Sequence, residues 1–140
     1  MRTRVLLDTG PLVASVNARD GFHEWARTQL AHIEPPMLTC EAVLAESCFL
    51  LQRLPGGSKA VLELVRRGIV EVAFRVEDHA EALMKLTAKY ADVPMSLADA
   101  CLVRMSEIHR DRSVMTLDAD FRIYRRLGRQ VIPTRTPARG

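Results

Sequence analysis

Val5-Leu6-Leu7-Asp8-Thr9-Gly10-Pro11 holds a strand signal, a turn signal and a helix signal in seven residues. Three apolar residues in unbroken succession suit a strand buried on both faces, as in a parallel sheet; alternation would suit a half-exposed one. Asp8-Thr9-Gly10 then turns the chain. Pro11 suits the first position of a helix, where its missing N–H costs nothing. The order strand, turn, helix opens a βαβ unit. It also places Asp8 at the carboxyl end of a buried parallel strand, the edge where open α/β sheets form their ligand crevices.

Outward from this stretch the alternation continues. A helix is expected over residues 23–33, stopped by Pro35-Pro36, and Met37-Leu38-Thr39 reads as a second strand. Thr39 is placed to cap a helix running through about Leu54, and after Pro55-Gly56-Gly57 the next cap is Ser58, for a helix to Arg67. A β-branched run over 69–74, a helix over 78–90 and a break at Asp92-Val93-Pro94 follow. Ser96 caps a helix to His109; Ser113-Val114-Met115-Thr116 is a strand, a short helix follows Leu117-Asp118-Ala119-Asp120-Phe121, and Val131-Ile132 is the last strand expected. Residues 1–140 thus read as a single α/β domain without internal repeats, its central, mainly parallel sheet of four to five strands covered on both faces.

Composition narrows the classes. The 140 residues are 48% hydrophobic and 26% charged, ordinary for a globular domain, and the 5% aromatic share argues against a base-stacking sheet. No apolar run approaches the roughly 20 residues of a membrane helix, and Met1-Arg2-Thr3-Arg4 leads into no secretory segment. Cys40, Cys48 and Cys101 lack C-x-x-C spacing and sit among apolar neighbours; buried free thiols in a reducing cytoplasm are expected. Net charge is only +3, yet residues 121–140 carry Arg122, Arg125, Arg126, Arg129, Arg135 and Arg139 with no acid. A solvated tail and an anionic partner both fit that run.

Four acids remain to be explained. Asp118 repeats the placement of Asp8, just beyond a strand. Either alone suits a turn aspartate, but two at strand ends share one sheet edge. Glu46 lies mid-helix with Ala42 and Val43 one turn before and Phe49 and Leu50 one turn after. Residues at those offsets share a face, so this carboxylate is expected to point with the apolar stripe. An arginine partner or a bound cation would offset the cost of an ionised group there. Asp99 stands three residues after Ser96, where a capping box puts an acid, on a helix striped by Ala98, Cys101, Leu102, Met105 and Ile108. It serves the helix dipole, or that first turn carries it to the same sheet edge. Oxygen ligands without His or Cys point to Mg2+ or Mn2+ and to a phosphate-ester substrate.

Leu6-Leu7-Asp8-Thr9-Gly10-Pro11-Leu12-Val13-Ala14, Leu44-Ala45-Glu46, Tyr90-Ala91-Asp92-Val93-Pro94-Met95-Ser96-Leu97-Ala98-Asp99-Ala100 and Thr116-Leu117-Asp118-Ala119-Asp120-Phe121 resemble, in order and spacing, the four acidic motifs of PIN-domain ribonucleases. The resemblance covers nearly the whole chain, and compact members of this kind are similar to the VapC toxins of toxin–antitoxin pairs. It implies a three-layer α/β/α fold, Mg2+- or Mn2+-dependent endoribonuclease activity, an RNA substrate, a homodimer and an inhibitory antitoxin. Residue by residue it implies Asp8, Glu46, Asp99 and Asp118 as catalytic and metal-holding groups. Asp120 matches an auxiliary acid, and Thr9 and Thr116 match polar positions that orient a carboxylate or a water. Asp92 lies in a matching stretch but equally suits a helix-breaking loop.

Other chemistries fit less well. A haloacid-dehalogenase-type phosphatase wants a second aspartate where Gly10 stands, and a phosphoacceptor receiver domain wants a late lysine, whereas none follows Lys89. The remaining alternative is a PIN-like domain that binds RNA or protein without cutting, against which the full quartet argues. Arg122, Arg125 and Arg126, near Asp118 in sequence, are the expected contacts to a phosphate backbone.

Overall fold

In the computed structural model, residues 2–138 are described; Arg139 of the basic run lies outside them. The chain forms β1 (Val5–Leu7), α1 (Thr9–Val16), α2 (His23–Leu30), β2 (Met37–Thr39), α3 (Glu41–Leu50), α4 (Gly57–Arg66), β3 (Val70–Val72), α5 (Val76–Lys89), α6 (Leu97–Ile108) and β4 (Ser113–Met115). A 3-10 turn (Ala119–Arg122) and three two-residue strands follow: β5 (Arg125–Arg126), β6 (Gln130–Val131) and β7 (Thr134–Arg135).

Five strands make one parallel sheet in the order β3-β2-β1-β4-β7. Leu6 is opposite Leu38 on one side and Val114 on the other, so β1 is the centre of the sheet and its three residues are buried. The chain first moves from β1 outward to β3 and then returns across it to β4. The usual right-handed crossovers would put α1–α4 on one face and α5–α6 on the other, and α1–α4 pack on one another as α5 packs on α6. The strand order reverses between β1 and β4, and the crevice beyond their carboxyl ends is where this architecture binds ligands.

Local details depart from the sequence reading in instructive places. Helix α1 begins two residues before Pro11, because the Asp8 carboxylate caps it by accepting from the Thr9 amide at 2.8 Å. Proline is tolerated there because amides of a first helical turn lack intrahelical partners. Helix α2 ends at Leu30, and Ile33 instead pairs with Thr3 at the sheet border. Thr39 caps nothing: its hydroxyl donates to the Leu7 carbonyl at 2.7 Å, tying β2 to β1, and Cys40 opens α3, which ends at Leu50. Gly56, at φ 74°, rather than Ser58, is the first flank of α4. Gly57 is required beside it, since a Cβ would stand 2.6 Å from the Leu51 carbonyl oxygen. Val131 pairs antiparallel with Arg125 outside the main sheet, and the fifth strand is β7. Ser96 does cap α6, accepting from the Asp99 amide at 3.0 Å.

Candidate active site

The three segments nearest the strand-order reversal each deliver an acid. Asp8 follows β1 directly, the first turn of α6 carries Asp99, and the loop after β4 carries Asp118 and Asp120. Helix α3 packs beside α1 and brings Glu46 to the same place. Together with Thr9 these acids line one open cleft of about 440 Å3. Gly10 at its floor lets Leu117 close in; a Cβ there would sit 3.1 Å from the Leu117 side chain.

Each carboxylate is held differently. Asp8 is 6% exposed, and its Oδ1 accepts from the Thr9 amide while Oδ2 accepts from the Thr116 hydroxyl at 2.6 Å. Thr116 lies beneath the cleft, fully buried, and also accepts from the Asp118 amide at 2.9 Å. Asp118 in turn accepts from the Asp120 amide, which shapes the 3-10 turn. Asp99 accepts from the Tyr124 hydroxyl at 2.9 Å. Tyr124 is fully buried, boxed edge-on by Tyr90 and Phe121.

Glu46 corrects an expectation. It is exposed, and so are Phe49 and Leu50 one turn later, at 64% and 56%. Helix α3 faces the core with Val43 and Ser47, so the apolar stripe leaves the core after Val43 and does not bury Glu46. The carboxylate instead leans into the cleft mouth, accepting from the Thr9 hydroxyl at 3.1 Å.

The electrostatics are those of crowded anions. Burial pushes the Asp8 carboxyl up to about 6; the charges of Asp99 and Asp118 add to it, against the opposing bonds from Thr116 and Thr9. Burial also raises Asp99, with Asp118 adding and the Tyr124 and Ser96 bonds opposing. Among the described residues no Arg, Lys or His pairs with any of the five cleft acids. No three of these side chains stand close enough to enclose an ion as they are arranged, again among the described residues. The oxygen-only donor set and its unneutralised charge still fit a hard divalent cation.

A family model for the PIN domain matches residues 5–127. The chain belongs to the PIN-domain family. Its fold is similar to the crystal structure of Mycobacterium tuberculosis VapC20, described as a sarcin-ricin loop cleaving toxin, at a TM-score of 0.71 and 24% identity over 83% of this chain and 91% of that one. No curated protein matches this PIN domain by sequence.

Three arginines of the basic run in this PIN domain are engaged within the fold, two of them on backbone carbonyls. Arg126 is buried with Nη1 on the Ser106 carbonyl, and Arg125 Nη1 bonds the carbonyls of Arg122, Ile123 and Tyr124. Arg135 reaches Gln29 and Thr3. Of the three arginines expected to hold phosphate, only Arg122 is exposed, and it stands next to Asp118. Sequence reasoning missed Tyr124, because nothing in its neighbourhood announces a partner 25 residues upstream. Cys40 and Cys101 are buried free thiols, and Cys48 is half-buried.

Proposed function

We propose that this PIN domain is an endoribonuclease that depends on Mg2+ or Mn2+, and that it is the toxin of a toxin–antitoxin pair. One observation carries the reading: acids from four separate segments line a single cleft, and among the described residues no cationic side chain pairs with them. Holding Asp8 charged in that setting is unfavourable, and a divalent cation would offset the cost. Asp8, Asp99 and Asp118 are the groups that would hold it, with Glu46 at the mouth and Asp120 auxiliary. When bound, such an ion supplies positive charge to a phosphate and acidifies a water.

The chain's own residues then divide the work. Thr116 and Thr9 fix both oxygens of Asp8, and Tyr124 fixes one of Asp99. Glu46 keeps one oxygen on Thr9, and its other oxygen would take a proton from the water that attacks phosphorus. Attack in line breaks the bond to the departing ribose oxygen and leaves two RNA ends. Arg122 holds the backbone phosphate beside Asp118.

Likeness in fold to a toxin that cleaves the sarcin-ricin loop supports the toxin role. An antitoxin and a second copy of the chain are the partners such a role would bring. Buried free thiols at Cys40 and Cys101 suit the cytoplasm. The separation of the acids favours one rival reading, a PIN-like domain that binds RNA without cutting it.

The test is cleavage of mixed-sequence single-stranded RNA by the purified chain in Mn2+ and in EDTA. Cleavage should need the metal and fall about a hundredfold or more in Asp8→Asn and Asp118→Asn, with unchanged circular dichroism. RNA that binds but stays intact in Mn2+ would establish the rival. Near-wild-type cleavage by Asp8→Asn would remove the site assignment.

A further inference from the structure

The carboxylate cleft continues beyond Asp118. Leu117 and Asp118 form a shared wall, and on their far side the surface opens into a second recess of about 230 Å3. Phe22, Phe121 and Arg122 line it, together with Thr134 and Thr136 from the C-terminal segment. Its volume is below the roughly 300–1,000 Å3 of pockets for drug-sized ligands, so a single small ring system is the scale it fits.

Three features say what kind of ring. Phe22 occupies the N-cap of α2, where Ser, Thr, Asp or Asn would bond the helix amides, and it makes no such bond. Its ring is instead 46% exposed beside the recess, a face on which any base can stack. Arg122 also lines the recess and is exposed, and among the described residues no carboxylate pairs with it. Threonine hydroxyls add groups that donate and accept at a base edge. An aromatic face, a cation and hydroxyls, across a shared wall from the carboxylate cleft, match a nucleotide better than an apolar peptide.

We propose that this recess takes the base of a nucleotide flanking the scissile phosphate, stacked on Phe22, with that nucleotide's phosphate against Arg122. It rests on the nuclease reading above and adds to it a subsite from which base preference would arise. Low aromatic content is no obstacle, since one ring suffices for one base.

The experiment uses the full chain in EDTA, titrated with the four 5′-nucleoside monophosphates and with ribose 5-phosphate, and followed by amide chemical shifts. Nucleotides should shift the amides around Phe22, Leu117 and Arg122, with ribose 5-phosphate binding about fivefold or more weakly. Phe22→Ala should erase that difference and Phe22→Trp should keep it. Equal binding of ribose 5-phosphate and the nucleotides, or shifts confined to other surfaces, would overturn the subsite and leave the recess to a protein partner. RNA cleavage in Mn2+ is read in parallel. A chain that cuts RNA while its recess ignores nucleotides loses the subsite alone; a chain that never cuts RNA loses the nuclease reading.

Discussion

The Thr116 hydroxyl donates a 2.6 Å hydrogen bond to Asp8, joining residues 108 apart in the chain. The same oxygen accepts from the Asp118 amide, so one buried side chain sets the position of two acids. Thr116→Val keeps the shape and removes both bonds. Stability should fall by about 1–3 kcal/mol in urea unfolding, the cost of a buried acceptor left unpaired. Mn2+ affinity should fall about 10- to 100-fold, and Thr116→Ser should restore most of both. Unchanged affinity in the valine variant would show that Thr116 plays no part in placing the acids.

Tyr124 offers a cleaner separation of packing from positioning. Tyr124→Phe retains the ring between Tyr90 and Phe121 and loses only the hydroxyl on Asp99. That bond holds the Asp99 carboxyl down, so its loss should raise the pH at which Mn2+ binds, with affinity at pH 7 weakened about 10-fold. A metal-binding pH profile identical to the wild type would contradict this role.

Asp8 should make the metal-free protein sensitive to pH in an unusual direction. Its folded-state pKa of about 6 lies above the ~3.9 of an unfolded aspartate. The folded state therefore holds a proton that the unfolded chain has released. This contribution to stability is full below about pH 4 and is lost as pH rises through about 6, on the order of 3 kcal/mol at most. Asp8→Asn should accordingly be more stable than the metal-free wild type at pH 7.5, and the gap should close near pH 4. Thermal melts in EDTA across that range check it; parallel profiles would refute it.

Arg126 and Arg122 should separate by phenotype. Arg126 is buried, with one nitrogen on the Ser106 carbonyl and Nε without a partner. Arg126→Met removes a costly buried charge at similar volume and should leave the melting temperature unchanged or higher. Arg126→Ala leaves a cavity and should lower stability by about 2–4 kcal/mol. Arg122→Ala should leave the melt alone, weaken RNA binding and flatten its salt dependence. Loss of RNA binding in Arg126→Met with no change in Arg122→Ala would reverse the assignment.

The sheet and the sheet edge that carries the acids were legible because β1 is an uninterrupted apolar run, and such runs have few alternatives. Asp8 and Asp118 followed from their places after strands. Glu46 reaches the cleft for a different reason from the one its neighbours suggest: Phe49 and Leu50 are apolar but exposed, so the stripe does not bury it. Caps were misplaced where tertiary contacts outweighed local preference, as when Thr39 bonds Leu7 across the sheet. β7 was missed because two residues carry no periodicity, and Tyr124 because a long-range hydrogen bond leaves no local pattern. The arginine run was ambiguous for the same reason: which of its members bond backbone carbonyls depends on the fold.

Calorimetric titration of Mn2+ into the wild type and into Asp8→Asn, Glu46→Gln, Asp99→Asn and Asp118→Asn, with an RNA oligomer present, bears most directly on the idea of one metal site. Binding to the wild type that weakens in every variant, each still folded, is the expected result. Failure of the wild type to recruit metal even with RNA present, or variants that bind as well as it does, would contradict it.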